Sequence, residues 1–187
     1  MEIAWIKSVI ALLSVLTLVG IVAFYMAKAI AVANQFKEGL SQYQAEDYVV
    51  AERIFREVIA KQQSNDMARL LLGNALMQQN QLEEAIAVFK ELLNQSPKNV
   101  DGYVNLGKVL MRQGKLNEAI ATFKQATETI PKSPDGYRVL GLALQQKGDT
   151  EAAIANLTKA KAIYQAKNET FMEKTTHQDI QQITNNQ

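Results

Sequence analysis

The chain offers one histidine, His177, and no cysteine. A Ser-His-Asp arrangement would have to be built on His177, in a polar C-terminal segment. A metal site would rest on carboxylates alone, and none cluster at helical spacing. The absence of cysteine excludes disulfides, iron–sulfur ligation and thiol catalysis. No Gly-rich phosphate loop is present, because Leu72-Gly73-Asn74 and its counterparts fall in mid-helix. The 20 Lys and Arg nearly balance the 19 Asp and Glu. They form no basic stripe, which argues against nucleic acid as a partner. These residues point away from an enzyme and from any cofactor. What is left is recognition of another polypeptide by a shaped surface.

The elements that would present such a surface are written as a repeat. Val100–Ser133 recurs on Asp66–Asn99 and Pro134–Lys167, and more faintly on Val32–Asn65. The step is about 34 residues, the mark of a helix-turn-helix solenoid. Gly39, Gly73, Gly107 and Gly141 form one row, and Ala51, Ala85, Ala119 and Ala153 another. Phe55, Phe89, Phe123 and Leu157 form a third, and Pro97 and Pro131 close the two middle copies.

The rows follow from packing. Tyr103, Leu106, Gly107 and Leu110 share one helical face, as do Leu116, Ala119, Ile120, Phe123 and Ala126. Gly107 and Ala119, small at facing points, are expected to let the two helix axes approach. Asn80, Gly114 and Gly148 share the phase at which the first helix must turn, and Gly and Asn enter the left-handed conformation cheaply. Pro131 cannot continue a helix and drives Ile130 out of the helical region. Neither helix buries its apolar stripe alone, so the units must stack.

Residues 8–27, SVIALLSVLTLVGIVAFYMA, carry no charge. About 20 residues at ~1.5 Å rise span ~30 Å, the thickness of a bilayer's hydrocarbon core. Trp5 and Tyr25 stand near its ends, bracketed by Lys7 and Lys28, as interfacial anchors do. A single membrane-spanning helix is expected. The rival reading is a cleaved signal peptide with Ala31-Val32-Ala33 as its cleavage site. The run exceeds the usual ~7–15 apolar residues of such a signal, and Lys28 intervenes. Lys28 and Lys37 after the span, against Lys7 before it, favour a cytoplasmic or stromal side for the repeats. Ala23, Ala27 and Ala31 form a small-residue row that could pair helices in lipid, or be ordinary helix alanines. No Pro or Gly interrupts Tyr25–Phe36, so the span is expected to run on into the first repeat helix, to about Gln44. Glu169–Ile183 is expected to cap the array, with fraying from about Thr184.

The pattern Tyr103-x-x-Leu106-Gly107 with Ala119, Phe123, Ala126 and Pro131 resembles the tetratricopeptide repeat (TPR). The family's usual Trp is Tyr103, Tyr137 and, in the second copy, Arg69. The resemblance implies an all-α fold: an N-terminal transmembrane helix, then a TPR α-solenoid, a right-handed superhelix of helix-turn-helix repeats. The expected domains are an anchor at 1–31, a degenerate repeat at 32–65, repeats at 66–99, 100–133 and 134–167, and a cap and tail at 168–187. Degeneracy in the first copy shows as loss of the Leu-Gly pair and the proline.

In this family a concave surface built mainly by the first helix of each repeat holds the partner. Carried onto this chain, that implies Met67, Leu70, Asn74, Met77 and Gln78 in the second repeat. The third contributes Asp101, Val104, Asn105, Lys108, Met111 and Arg112. The fourth contributes Asp135, Arg138, Leu142, Gln145 and Gln146, and the first adds Phe36, Leu40 and Tyr43. Met77 and Met111 suit a surface that adapts to a partner helix or extended segment, or else pack between repeats. The clamp by which some TPR proteins grip chaperone C-terminal tails is disfavoured. Asn74 and Asn105 match its asparagines, but Leu70, Asp135 and Val139 stand where it needs cations.

The overall plan of one span and three or four repeats looks like the photosystem I assembly proteins of cyanobacteria and plastids. That would imply thylakoid residence and contact with protein subunits of a membrane complex. Anchored TPR proteins of cytochrome maturation, pilus assembly or envelope biogenesis share the plan, and a self-associating structural protein is a further alternative.

Overall fold

A computed structural model describes the backbone of residues 2–185, and side chains other than those of residues 2–8 and 11. The expected anchoring side chains Trp5 and Lys7, and the last two tail residues, lie outside the described ones. Every regular element among the described residues is helical. The chain divides into two compact units, Met1–Gln63 and Ser64–Gln187.

The first unit is a helical hairpin with one very long arm. Helix α1 runs unbroken over Glu2–Gln44. Its large apolar side chains from Val9 to Met26 stand bare, Leu12 at 60% and Phe24 at 67% exposure. The stretch Leu12–Gln44 contains an 18-residue window of mean hydropathy 2.2 and is long and apolar enough to cross a membrane, a property a signal sequence can share. No proline breaks α1 between the apolar run and Gln44, so the helix continues into the first repeat. Glu46 then takes a left-handed conformation, φ 63°. It stands one repeat before Asn80 (φ 61°), with Gly114 (φ 75°) and Gly148 (φ 89°) following at the same phase. Asp47 caps α2, Tyr48–Lys61, by accepting from Val50 N–H at 3.1 Å. Ala51, Ile54, Phe55 and Val58, at steps of three and four, are buried in the hairpin.

The second unit holds three helix pairs and a single closing helix. The pairs are α3 (Asp66–Gln78) with α4 (Leu82–Gln95), α5 (Val100–Arg112) with α6 (Leu116–Thr129), and α7 (Pro134–Lys147) with α8 (Thr150–Ala166). Asn65 and Asn99 cap α3 and α5 from equivalent positions, each accepting a backbone N–H at 2.9 Å. Ile130, before Pro131, leaves the helical region at φ −133°, ψ 70°, and α6 ends there. The third-row side chains Phe89, Phe123 and Leu157 are buried to within 1%. Each such burial contributes roughly 2–3 kcal/mol.

Within each pair the third-row side chain packs directly against the Gly of the first row. The Phe123 ring occupies the space where a Cβ on Gly107 would stand. In the fourth repeat Leu157 replaces the ring. There Leu157 Cγ would lie 2.7 Å, and the Ala153 carbonyl oxygen 3.0 Å, from a Cβ on Gly141. The small Ala row is fully buried beside this contact.

Helix α9, Thr170–Asn185, closes the unit. It packs on α8 and touches α7, burying Thr176 and Ile183. Met172 joins the cluster of Tyr137, Ala160 and Tyr164. Phe171 points outward at 79% exposure.

Candidate protein-binding face

Within the second unit the first helices of successive repeats touch one another, α3 to α5, α5 to α7 and α7 to α9. The second helices α4, α6 and α8 do not. Rows that converge on one side and diverge on the other curve the stack, so α3, α5, α7 and α9 line its inner side. On the outer side, the parting of α4 and α6 leaves a cleft of ≈ 390 Å³ beside Leu93, Tyr103 and Thr122.

The side chains expected on the inner face meet several fates. Met67 (54% exposed), Gln78, Asp101, Lys108, Gln145 and Gln146 are exposed, while Asn74, Asn105, Met111 and Leu142 are half-buried. Leu70, Met77 and Val104 are buried at 8–9% exposure. For Met77 the packing alternative therefore describes the structure, whereas Met111 keeps part of its surface.

Three charged members are committed within the protein. Arg112 Nη1 donates to the Met77 carbonyl oxygen at 2.8 Å, satisfying an end group of α3 across the repeat boundary. Asp135 accepts from the Tyr164 hydroxyl at 2.6 Å. Arg138 pairs with Asp179 of α9 at 2.9 Å. Burial first, and then the bond to Asp135, push the Tyr164 phenol well above its ordinary range. In the first unit, Phe36 lies against Phe55 with ring centroids 5.9 Å apart, Tyr43 against Tyr48 at 5.4 Å, and Leu40 is half-buried.

Asp179 and Tyr164 are the participants that sequence reasoning missed. Both reach the inner helices from elements far along the chain, so no local spacing announces them. His177 stands near Lys161 Nζ (3.4 Å) and Gln181 Nε2 (3.2 Å). Among the described residues no group of His, Asp and Glu could hold a metal ion.

Residues 73–114 and 107–148 match the TPR repeat family, and residues 135–167 match the tetratricopeptide repeat. No curated protein gives a significant sequence match. Solved structures with the same fold include MamA from Desulfovibrio magneticus RS-1, at 16% identity and TM-score 0.59 over 83% of this chain and 96% of that one. TTC0263, a thermophilic TPR protein of Thermus thermophilus, matches at 18% identity and TM-score 0.60 over 80% and 89%. YrrB, described as a TPR protein with an unusual peptide-binding site, matches at 23% identity and TM-score 0.57 over 71% and 69%. At these identities the likeness shows the fold alone.

Proposed function

The chain belongs to the tetratricopeptide-repeat family, and from that premise we propose that it is a membrane-anchored scaffold holding subunits of a membrane protein complex. The carrying observation is the inner face of α3, α5 and α7. Asp101, Lys108 and Gln145 remain exposed there beside half-buried Met111 and Leu142. That mixture suits a helix or extended segment with apolar anchors and matching charge. The apolar run of α1 serves as the membrane span. A cut after Ala33 would remove Val32, which is packed at 9% exposure, and would sever a continuous helix. Repeats facing the cytoplasm or stroma are consistent with Lys28 and Lys37. Within this class the plan of one span and three or four repeats favours an assembly factor, with photosystem I in a thylakoid membrane as the complex.

The test is affinity isolation from solubilised membranes. Arg112 is a poor probe because it caps α3, so the variant is Lys108→Glu with Gln145→Glu. Loss of captured membrane subunits at unchanged melting temperature is expected. The same subunits retained at wild-type levels would remove the inner face from the proposal. Absence of photosystem I subunits from the wild-type capture would remove that complex.

A further inference from the structure

The apolar run of α1 ends at Ala27, and the next residue is Lys28. Lys28 and Ala29 lie three and four residues after Tyr25, and Val32 lies four and three after them, all on one face of the helix. The C-terminal end of α2 comes back alongside that face. Lys61 Nζ donates to Gln35 Oε1 at 2.7 Å, and Gln35 in turn donates to Glu57. Between the two helices lies a cavity of ≈ 290 Å³, lined by Tyr25, Lys28, Ala29, Val32, Lys61 and Gln62.

Two lysines, Lys28 and Lys61, line this cavity and no acidic residue does. Lys61 uses one donor on Gln35, which fixes its direction and leaves two. Tyr25, Ala29 and Val32 provide an apolar wall on α1, and Gln62 lines the cavity from the C-terminal end of α2. From Lys28 to Val32, the last lining residue on α1, the helix climbs about 6 Å. The polar layer of one leaflet is roughly 5–8 Å deep, so the site fits the depth of a headgroup. A phosphodiester between Lys28 and Lys61 would keep its acyl chains against the apolar helix below.

We propose that this cavity holds the phosphodiester of an anionic phospholipid, with Lys28 and Lys61 as its charge partners and Tyr25 against the glycerol. The site rests on the reading of α1 as a membrane span. It would fix how deep the helix sits and hold the α1–α2 hairpin against the surface.

The experiment uses the full chain in detergent. Phosphatidylglycerol, phosphatidylcholine or inorganic phosphate is added, and bound species are counted by native mass spectrometry. Wild type should retain phosphatidylglycerol over phosphatidylcholine. Lys28→Gln and Lys61→Gln should each lower that preference about fivefold. Lys37→Gln, an exposed lysine on the same helix outside the cavity, should leave it unchanged. Equal retention of the two lipids by wild type would overturn the site, as would an equal loss in Lys37→Gln. Inorganic phosphate displacing the lipid at equal concentration would overturn the lipid as occupant. The intact mass separates the two levels. A chain isolated from membranes without its first 33 residues refutes the span and the site together. A full-length chain with no lipid preference refutes the site alone.

Discussion

Gly107 sits where the Phe123 ring leaves no room for a side chain. Gly107→Ala should therefore destabilise the protein by about 2–3 kcal/mol, the range for overpacking, read as a lower urea midpoint at unchanged slope. Arg69 is the opposite case. It occupies the phase at which Tyr103 and Tyr137 stand, is 2% exposed, and leaves its Nη1 without a hydrogen-bond partner among the described residues. Its ion-pair partner at 3.2 Å, Glu91, is 57% exposed. Exchanging a buried guanidinium for an aromatic ring removes a desolvation penalty and strands no buried charge. Arg69→Tyr should raise stability by about 1 kcal/mol, seen as an upward shift in melting temperature. Tyr164 gives a pH signature. Its phenol titrates higher folded than unfolded, so its neutral form contributes stability fully below about pH 10. That contribution is lost as pH rises further, because the unfolded chain releases the proton first. Stability should fall in alkaline solution, and Tyr164→Phe should flatten that fall while lowering neutral-pH stability by about 1–2 kcal/mol.

The elements follow the same reasoning one level up. Helix α1 carries two sets of instructions, apolar and bare in its first half and hairpin-forming in its second, with no residue that would separate them. In membranes, limited proteolysis should therefore spare Ala29–Lys37, and early cleavage there would show a flexible tether instead. Helix α9 was legible only as a weak apolar pattern. The structure buries Thr176 and Ile183, half-buries Met172 and leaves Phe171 outside. That choice depends on which side of α9 meets α8, and Phe171 does not lie on it. The left-handed row was read at Asn80, Gly114 and Gly148. Glu46 continues it in the first repeat although its residue type gives no such signal, because the turn geometry overrides local preference.

For the whole molecule, the question is which inner-face positions remain free once the helices stack. Reversing Lys108 with Gln145→Glu should cost a partner at least tenfold in affinity if both contact it, since charge partners at an interface contribute on the order of 1–2 kcal/mol. Isolated complexes, weighed by quantitative mass spectrometry, report that loss. Arg138 and Asp135 should matter less for capture, because Asp179 and Tyr164 already occupy them. Position in the repeat assigns the inner face to the first helix of each pair. It could not separate exposed Lys108 from buried Val104, which depends on how closely the next repeat approaches.

By itself the sequence determined the period, the two helices of each unit, their turns and ends, and an apolar run long enough for a bilayer. Those are local matters of backbone preference and side-chain spacing, and each repeat states them again. Only the tertiary structure decided that Phe123 rather than Ala119 fills the space at Gly107, and that Asp179 and Tyr164 take up Arg138 and Asp135. It likewise brought Lys28 and Lys61 to the lining of one cavity. Such pairings join residues far apart in the chain, and their distances depend on the stacking of whole helices.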